Sequence, residues 1–311
     1  MSLKLNYKTN QHLISFNLLD SASIWFQYSD TYVNEFFKKN IIDVDQNTFK
    51  MIINKYKPIR TQIGWKDELY KSVYENSLDL KFSEISKLVK KFNEIRLQND
   101  GLILNIDEYT RKLLYIGNNF VSFASGTNHL YTEILRPYYK LSPKSDFSKE
   151  INCYVGVSPT ERYTASALKK SMILEVSNDQ TTFEHYLIIV IHEFIHTSFN
   201  THSLIELDES NRPFWETVRA DIDRRNITLV DEGFAYYLTE VVIEGKDYRK
   251  ISERYKNIKG RNDIQSKNMF FTGECIRVIG ENLDGIKITK DNKDSIVKNI
   301  LSDSYKVLLK N

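Results

Sequence analysis

The sequence predicts an α+β fold that is predominantly helical. Three observations carry this expectation. The 311 residues include only 11 Gly and 5 Pro, few turn-formers for a chain this long. From Asp20 to about Tyr139, apolar residues recur at helical spacing. Two later segments, Ile151 to Val157 and Met172 to Val176, are rich in β-branched and apolar residues and read as strands of a small sheet.

The elements follow in order. Lys66 to Gln98 reads as the clearest helix, with Leu69, Val73, Leu78, Phe82, Ile85, Leu88, Val89, Phe92 and Ile95 separated by polar residues. Further helical stretches run from Asp107 through Leu114 and near Leu130 to Leu135. The polar, proline-bearing segment Leu141 to Ser148 marks a boundary, giving a helical N-terminal region over 1–145 and a second domain over 146–311. After the second strand, Ser177 to Gln180 is a loop. Thr181 and Glu184 then stand in capping-box register, which starts a helix near Thr182 that runs to about Ser198. Pro213 opens another helix that stops near Asn226, and Thr228 caps a third from Leu229 to about Ile243.

Composition excludes several classes. Hydrophobic residues make up 41% and charged residues 27%, which is globular rather than disordered. Lys plus Arg number 43 against 41 Asp plus Glu, so the net charge of +2 gives no case for a nucleic-acid partner. No apolar run is long enough for a membrane span. Lys4 and Lys8 precede no apolar stretch of signal-peptide type. A soluble, cytoplasmic protein is expected, and an exported one only if Met1-Ser2-Leu3 is a leader replacing a signal peptide. Two cysteines, Cys153 and Cys275, exclude a disulfide framework and read as small buried hydrophobes.

The chemistry concentrates in His192-Glu193-Phe194-Ile195-His196. On a helix the two imidazoles, four residues apart, lie one turn apart on one face and can reach one metal ion. Glu193 projects beside them, where a carboxylate serves as general base toward the attacking water. A catalytic zinc site needs a third protein ligand and an open fourth position. Two glutamates compete: Glu216, 20 positions after His196, and Glu232, 36 positions after it. Spacing alone does not choose between them. Tyr236, four residues past Glu232 and on its helix face, is the leading donor for a developing oxyanion, with Tyr237, Tyr248, Tyr255 and His202 as further candidates.

His192-Glu193-x-x-His196 followed by Asp231-Glu232-Gly233-Phe234-Ala235 resembles the gluzincin metallopeptidases. In that group a downstream Glu-Gly-x-Ala helix supplies the third ligand, so the resemblance implies Glu232 and one Zn²⁺ per chain. It also implies a zincin-like catalytic core, with a small sheet packed on the motif helix and Met172–Val176 as an edge strand that pairs with a peptide substrate. The likeness covers about Ile151 to Gly245. Two departures stand out. The gap of 36 is longer than in the aminopeptidases of the group, and Glu216 has a spacing similar to the third ligand of the thermolysin family. The expected function is therefore a zinc peptidase acting on a peptide or protein substrate, with Glu193 as base. The rival is a structural or vestigial zinc site in a non-catalytic domain that acts through a protein partner, and the fourth coordination position separates the two.

Overall fold

The computed structural model describes residues 4–26, 31–77, 82–141, 150–161, 164–168, 170–177, 183–199, 225–259 and 263–309. About 70% of the described residues are helical, with a small sheet, as expected. No helix among the described residues is long and apolar enough to cross a membrane. The chain divides into two compact units, one of residues 4–127 with 150–190, the other of 1–3, 128–149 and 191–311. These units interleave along the sequence and do not follow a cut at 145–146.

The first unit opens with strand β1 (Lys4–Lys8), followed by helices α1 (Gln11–Ser23), α2 (Thr31–Asn40), α3 (Gln46–Ile63), α4 (Asp67–Tyr74) and α5 (Ser83–Asn93). Next come the hairpin β2 (Arg96–Asn99) and β3 (Leu102–Asn105) and the long helix α6 (Ile106–Leu135). Strands β4 (Glu150–Val157), β5 (Thr164–Ala167) and β6 (Ser171–Val176) lead into α7 (Phe183–Phe199). The division between units falls inside α6 and inside α7.

Several expectations are corrected here. The single helix over Lys66–Gln98 is broken: α4 ends at Tyr74, α5 spans Ser83–Asn93, and Arg96–Asn99 pairs as a strand with Leu102–Asn105. Asp100 and Gly101 both take positive φ, the conformation of a tight hairpin turn, and this turn pulls 96–99 out of the helical pattern. The two helical stretches at 107–114 and 130–135 are one helix, α6.

The main sheet has the order β1-β4-β6-β5, with β1, β4 and β6 parallel and β5 antiparallel to β6. Every residue of β6 is buried, as befits an apolar run covered on both faces. Strand β6 is hydrogen-bonded on both sides, so it is not the edge strand the resemblance implied. The edges are β1 and β5. Helix α1 lies against β4 with no room to spare: a Cβ added at Gly156 would sit 1.9 Å from the Asn17 side chain.

A buried ion pair ties the helices of this unit. Arg60, fully buried, donates from Nε to Asp20 Oδ1 at 2.7 Å and from Nη2 to Asp20 Oδ2 at 3.0 Å. Tyr56 donates to the same carboxylate at 2.8 Å, and the guanidinium lies 3.8 Å from the Trp25 ring centre. The end of β6 is tied to α7: the Ser177 N–H donates to Tyr186 Oη at 3.2 Å, and Tyr186 donates back to the Ser177 hydroxyl. Phe120 of α6 packs on both Phe183 and Tyr186.

In the second unit, helix α8 (Arg225–Tyr236) runs directly into a π-helical segment, Tyr237–Ile243. Helices α9 (Tyr248–Lys256), α10 (Asp263–Leu283) and α11 (Lys293–Leu309) follow. Thr228 lies inside α8 rather than capping a helix, because the helix is already formed at Arg225. Gly233 brings α8 against α10 so closely that an added Cβ would stand 2.6 Å from the Cys275 Cβ. The contact is backbone against backbone-proximal carbon, with no flexible side-chain end to give way. Gly233→Ala should therefore cost about 1–3 kcal/mol by overpacking, read as a lower urea midpoint, whereas unchanged stability would show that the approach of α8 to α10 is looser than described.

Candidate metal centre

The site is built from α7 and α8 within one unit. Helix α7 spans Phe183–Phe199, close to the expected Thr182–Ser198, while Thr181, the proposed cap, lies outside the described residues. Leu187, Val190, Ile191, Phe194 and Ile195 are buried. That leaves His192 and His196 on the same flank, with ring centres 4.7 Å apart.

Helix α8 brings Glu232 to both imidazoles. His192 Nε2 and His196 Nε2 are 3.0 Å apart. Glu232 Oε2 stands 3.5 Å from His192 Nε2, and Oε1 stands 3.6 Å from His196 Nε2. The two imidazoles each face a different oxygen of the Glu232 carboxylate, and one ligand atom from each of the three residues lies within 4.8 Å of the other two, so the group could hold one metal ion. These three are the group of potential metal ligands found among the described residues. Glu216, the competing ligand, and His202 lie outside the described residues.

One partner was not singled out from sequence. Asp231 Oδ2 lies 2.7 Å from His196 Nδ1, so the imidazole is held from both ends, by Asp231 at Nδ1 and Glu232 at Nε2. A proton on Nδ1 donated to Asp231 leaves the Nε2 lone pair for a metal, the usual way a carboxylate orients a ligating histidine. The signal was available: Asp231 is the acidic neighbour of Glu232.

Tyr236, one helical turn beyond Glu232, packs its ring 4.5 Å from the His192 ring. Burial, reinforced by the charges of Glu232, Glu240 and Glu193, pushes its phenol up to about 12, so it stays protonated and able to donate at neutral pH. Its hydroxyl accepts from that of Tyr255, whose ring lies 4.5 Å away. The Tyr255 hydroxyl also lies 3.1 Å from Glu240 Oε1, and Arg254 Nη2 reaches both Glu240 oxygens at 2.5 and 2.6 Å. Glu240 sits in the π-helical segment, where the Glu244 N–H donates to Thr239 O, five residues back. Widened turns of this kind recur beside functional sites. Of the other tyrosines considered, Tyr237 and Tyr248 are buried.

No family model, curated protein or solved structure matches this chain.

The electrostatics give a pH signature. Burial alone would lower the pKa of His196, but the hydrogen bonds and charges of Asp231 and Glu232 overcome it and raise the group from 6.5 to about 10. Burial would likewise raise Glu232, yet His192 and His196 bring it from 4.5 down to about 2. The raised histidine contributes stability that is complete below pH 6.5 and is lost as pH climbs toward 10. The lowered glutamate contributes stability present above 4.5 and lost as pH falls toward 2. Thermal melts in the presence of a chelator should accordingly peak between these limits and decline through the alkaline range. With zinc added, the imidazoles must be neutral, so binding releases protons and affinity should increase with pH. A chelated melting profile flat from pH 6 to 10 would contradict the clamp on His196.

Proposed function

We propose that the protein is a zinc-dependent peptide hydrolase of the gluzincin type. The observation that carries the reading is the convergence of His192, His196 and Glu232 on one point, with a carboxylate at Glu193 next to the first ligand. Two imidazoles and one carboxylate are a donor set of catalytic zinc, whereas a closed structural site takes four protein ligands. The side chain of Glu232 keeps 36% of its surface exposed, which supports access to the centre from solvent. The order of strand β6, helix α7 and the Glu232 helix also supports a zincin-like core.

Zinc, when bound, supplies Lewis acidity toward a carbonyl oxygen and lowers the pKa of a coordinated water to about 7. The chain's own residues do the rest. Glu193 accepts the proton of the attacking water and returns it to the departing amine. Tyr236, kept protonated by its burial and its acidic surroundings, donates to the carbonyl oxygen as negative charge builds there. Asp231 keeps the His196 ring in one tautomer and orientation.

The test is hydrolysis of a mixed peptide library by the zinc-loaded protein, read by mass spectrometry. Cleavage should stop on chelation and fall about 10²–10⁴-fold in Glu193→Gln, with Tyr236→Phe about 10²-fold down. Full turnover in Glu193→Gln would remove that residue as the base. A zinc-loaded wild type that leaves every peptide intact would overturn the peptidase reading.

A further inference from the structure

The first unit contains a cavity of about 360 Å³, within the size range of small-molecule sites. It lies where α1 faces β5 and β6, and its walls include Trp25, Phe26 and Trp65. These three rings form a closed cluster, with centres 5.0 Å apart for Trp25–Trp65 and 5.6 Å for each of the other two pairs. Among the described residues, the charged side chains lining it are the carboxylates Asp20 and Glu175. Glu175 is buried, and it accepts from Ser21 Oγ at 3.2 Å and Thr164 Oγ1 at 3.2 Å, which fix its carboxylate in the wall. Asn17, also in the lining, has a buried side-chain Nδ2 without a hydrogen-bond partner.

The same walls already hold one cation. The Arg60 guanidinium lies 3.8 Å from the Trp25 ring centre and 5.5 Å from that of Trp65, and it is paired with Asp20. Asp20 is thereby neutralised within the wall, while the Trp25 indole is pinned by a hydrogen bond to it. The chain reaches this arrangement at a cost. Ile24, a β-branched residue, takes the left-handed conformation at φ 47° and ψ 47° just before Trp25 and Phe26. Strain of this sort persists where the surroundings demand a particular placement, and here it places two of the three aromatic walls.

We propose that this cavity binds an organic cation, an alkylammonium or guanidinium group, lying against the wall formed by Trp25, Phe26 and Trp65 and oriented by Glu175. Aromatic faces and a buried carboxylate attract such a group and disfavour anions. The site lies in a different unit from the metal centre and does not depend on the peptidase reading.

Trp25 and Trp65 are two of the chain's three tryptophans, so intrinsic fluorescence and titration calorimetry both report on the cavity. The probes are choline, N-acetylarginine amide and 3,3-dimethylbutan-1-ol, the last a neutral isostere of choline. At least one of the two cations should saturate the protein roughly ten-fold more tightly than the neutral alcohol. Choline as the better cation would indicate a small-molecule ligand, and the arginine derivative a peptide side chain. Glu175→Gln should weaken the preferred cation by a similar factor and leave the alcohol unchanged. The wild-type comparison decides the matter even if that variant does not fold. Equal affinity for the alcohol and both cations, or no saturation by either cation, would overturn the proposal.

Discussion

The candidate centre depends on how one imidazole is held. His196 is gripped at Nδ1 by Asp231 and faces Glu232 at Nε2, and consecutive residues of α8 supply both carboxylates. Neighbouring helical positions diverge by about 100°, so two adjacent acids can meet opposite ends of one ring only if the helix axis passes close beside it. That requirement sets the position of α8. Gly233, next in sequence, removes the Cβ that would hold α8 away from α10, and the two carboxylates and the packing glycine form one continuous tripeptide. Two histidines and two carboxylates in a partly buried cluster compensate one another electrostatically, which explains why the Glu232 carboxylate stays ionised despite burial.

Behind the centre, a second polar layer joins Tyr236, Tyr255, Glu240 and Arg254. The π-helical segment matters here because its extra residue per turn re-aims side chains that an unbroken α-helix would point elsewhere. The first unit solves a comparable problem differently. Its buried Asp20–Arg60 pair is satisfied by Tyr56, Tyr70 and Trp25, so neither charge of the pair is left without a partner.

The parts of this structure that were legible in the sequence are those governed by short-range periodicity. The α7 span follows from the capping-box register of Thr181 and Glu184, the shared face of His192 and His196 from the helical repeat, and β4 and β6 from dense runs of apolar and β-branched residues. Glu232 was reached through resemblance, since a gap of 36 residues carries no geometry of its own. Strand β1 was missed because Lys4-Leu5-Asn6-Tyr7-Lys8 becomes a strand only by pairing with Glu150–Tyr154, far along the chain. The β2–β3 hairpin was different: Asp100-Gly101 is a strong turn signal, overridden by the helical spacing of the residues before it. The partnership of Asp20 with Arg60 and that of Asp231 with His196 are tertiary facts, and local pattern does not encode them.

The central claim is that His192, His196 and Glu232 form a metal centre. Its most direct test is elemental analysis of metal per chain, on wild type, Glu232→Ala and Glu216→Ala in parallel. The account predicts about one zinc per wild-type chain, lost in Glu232→Ala and retained in Glu216→Ala. A wild type that holds no zinc after it is added back, or a Glu232→Ala protein that keeps its full complement, would contradict it.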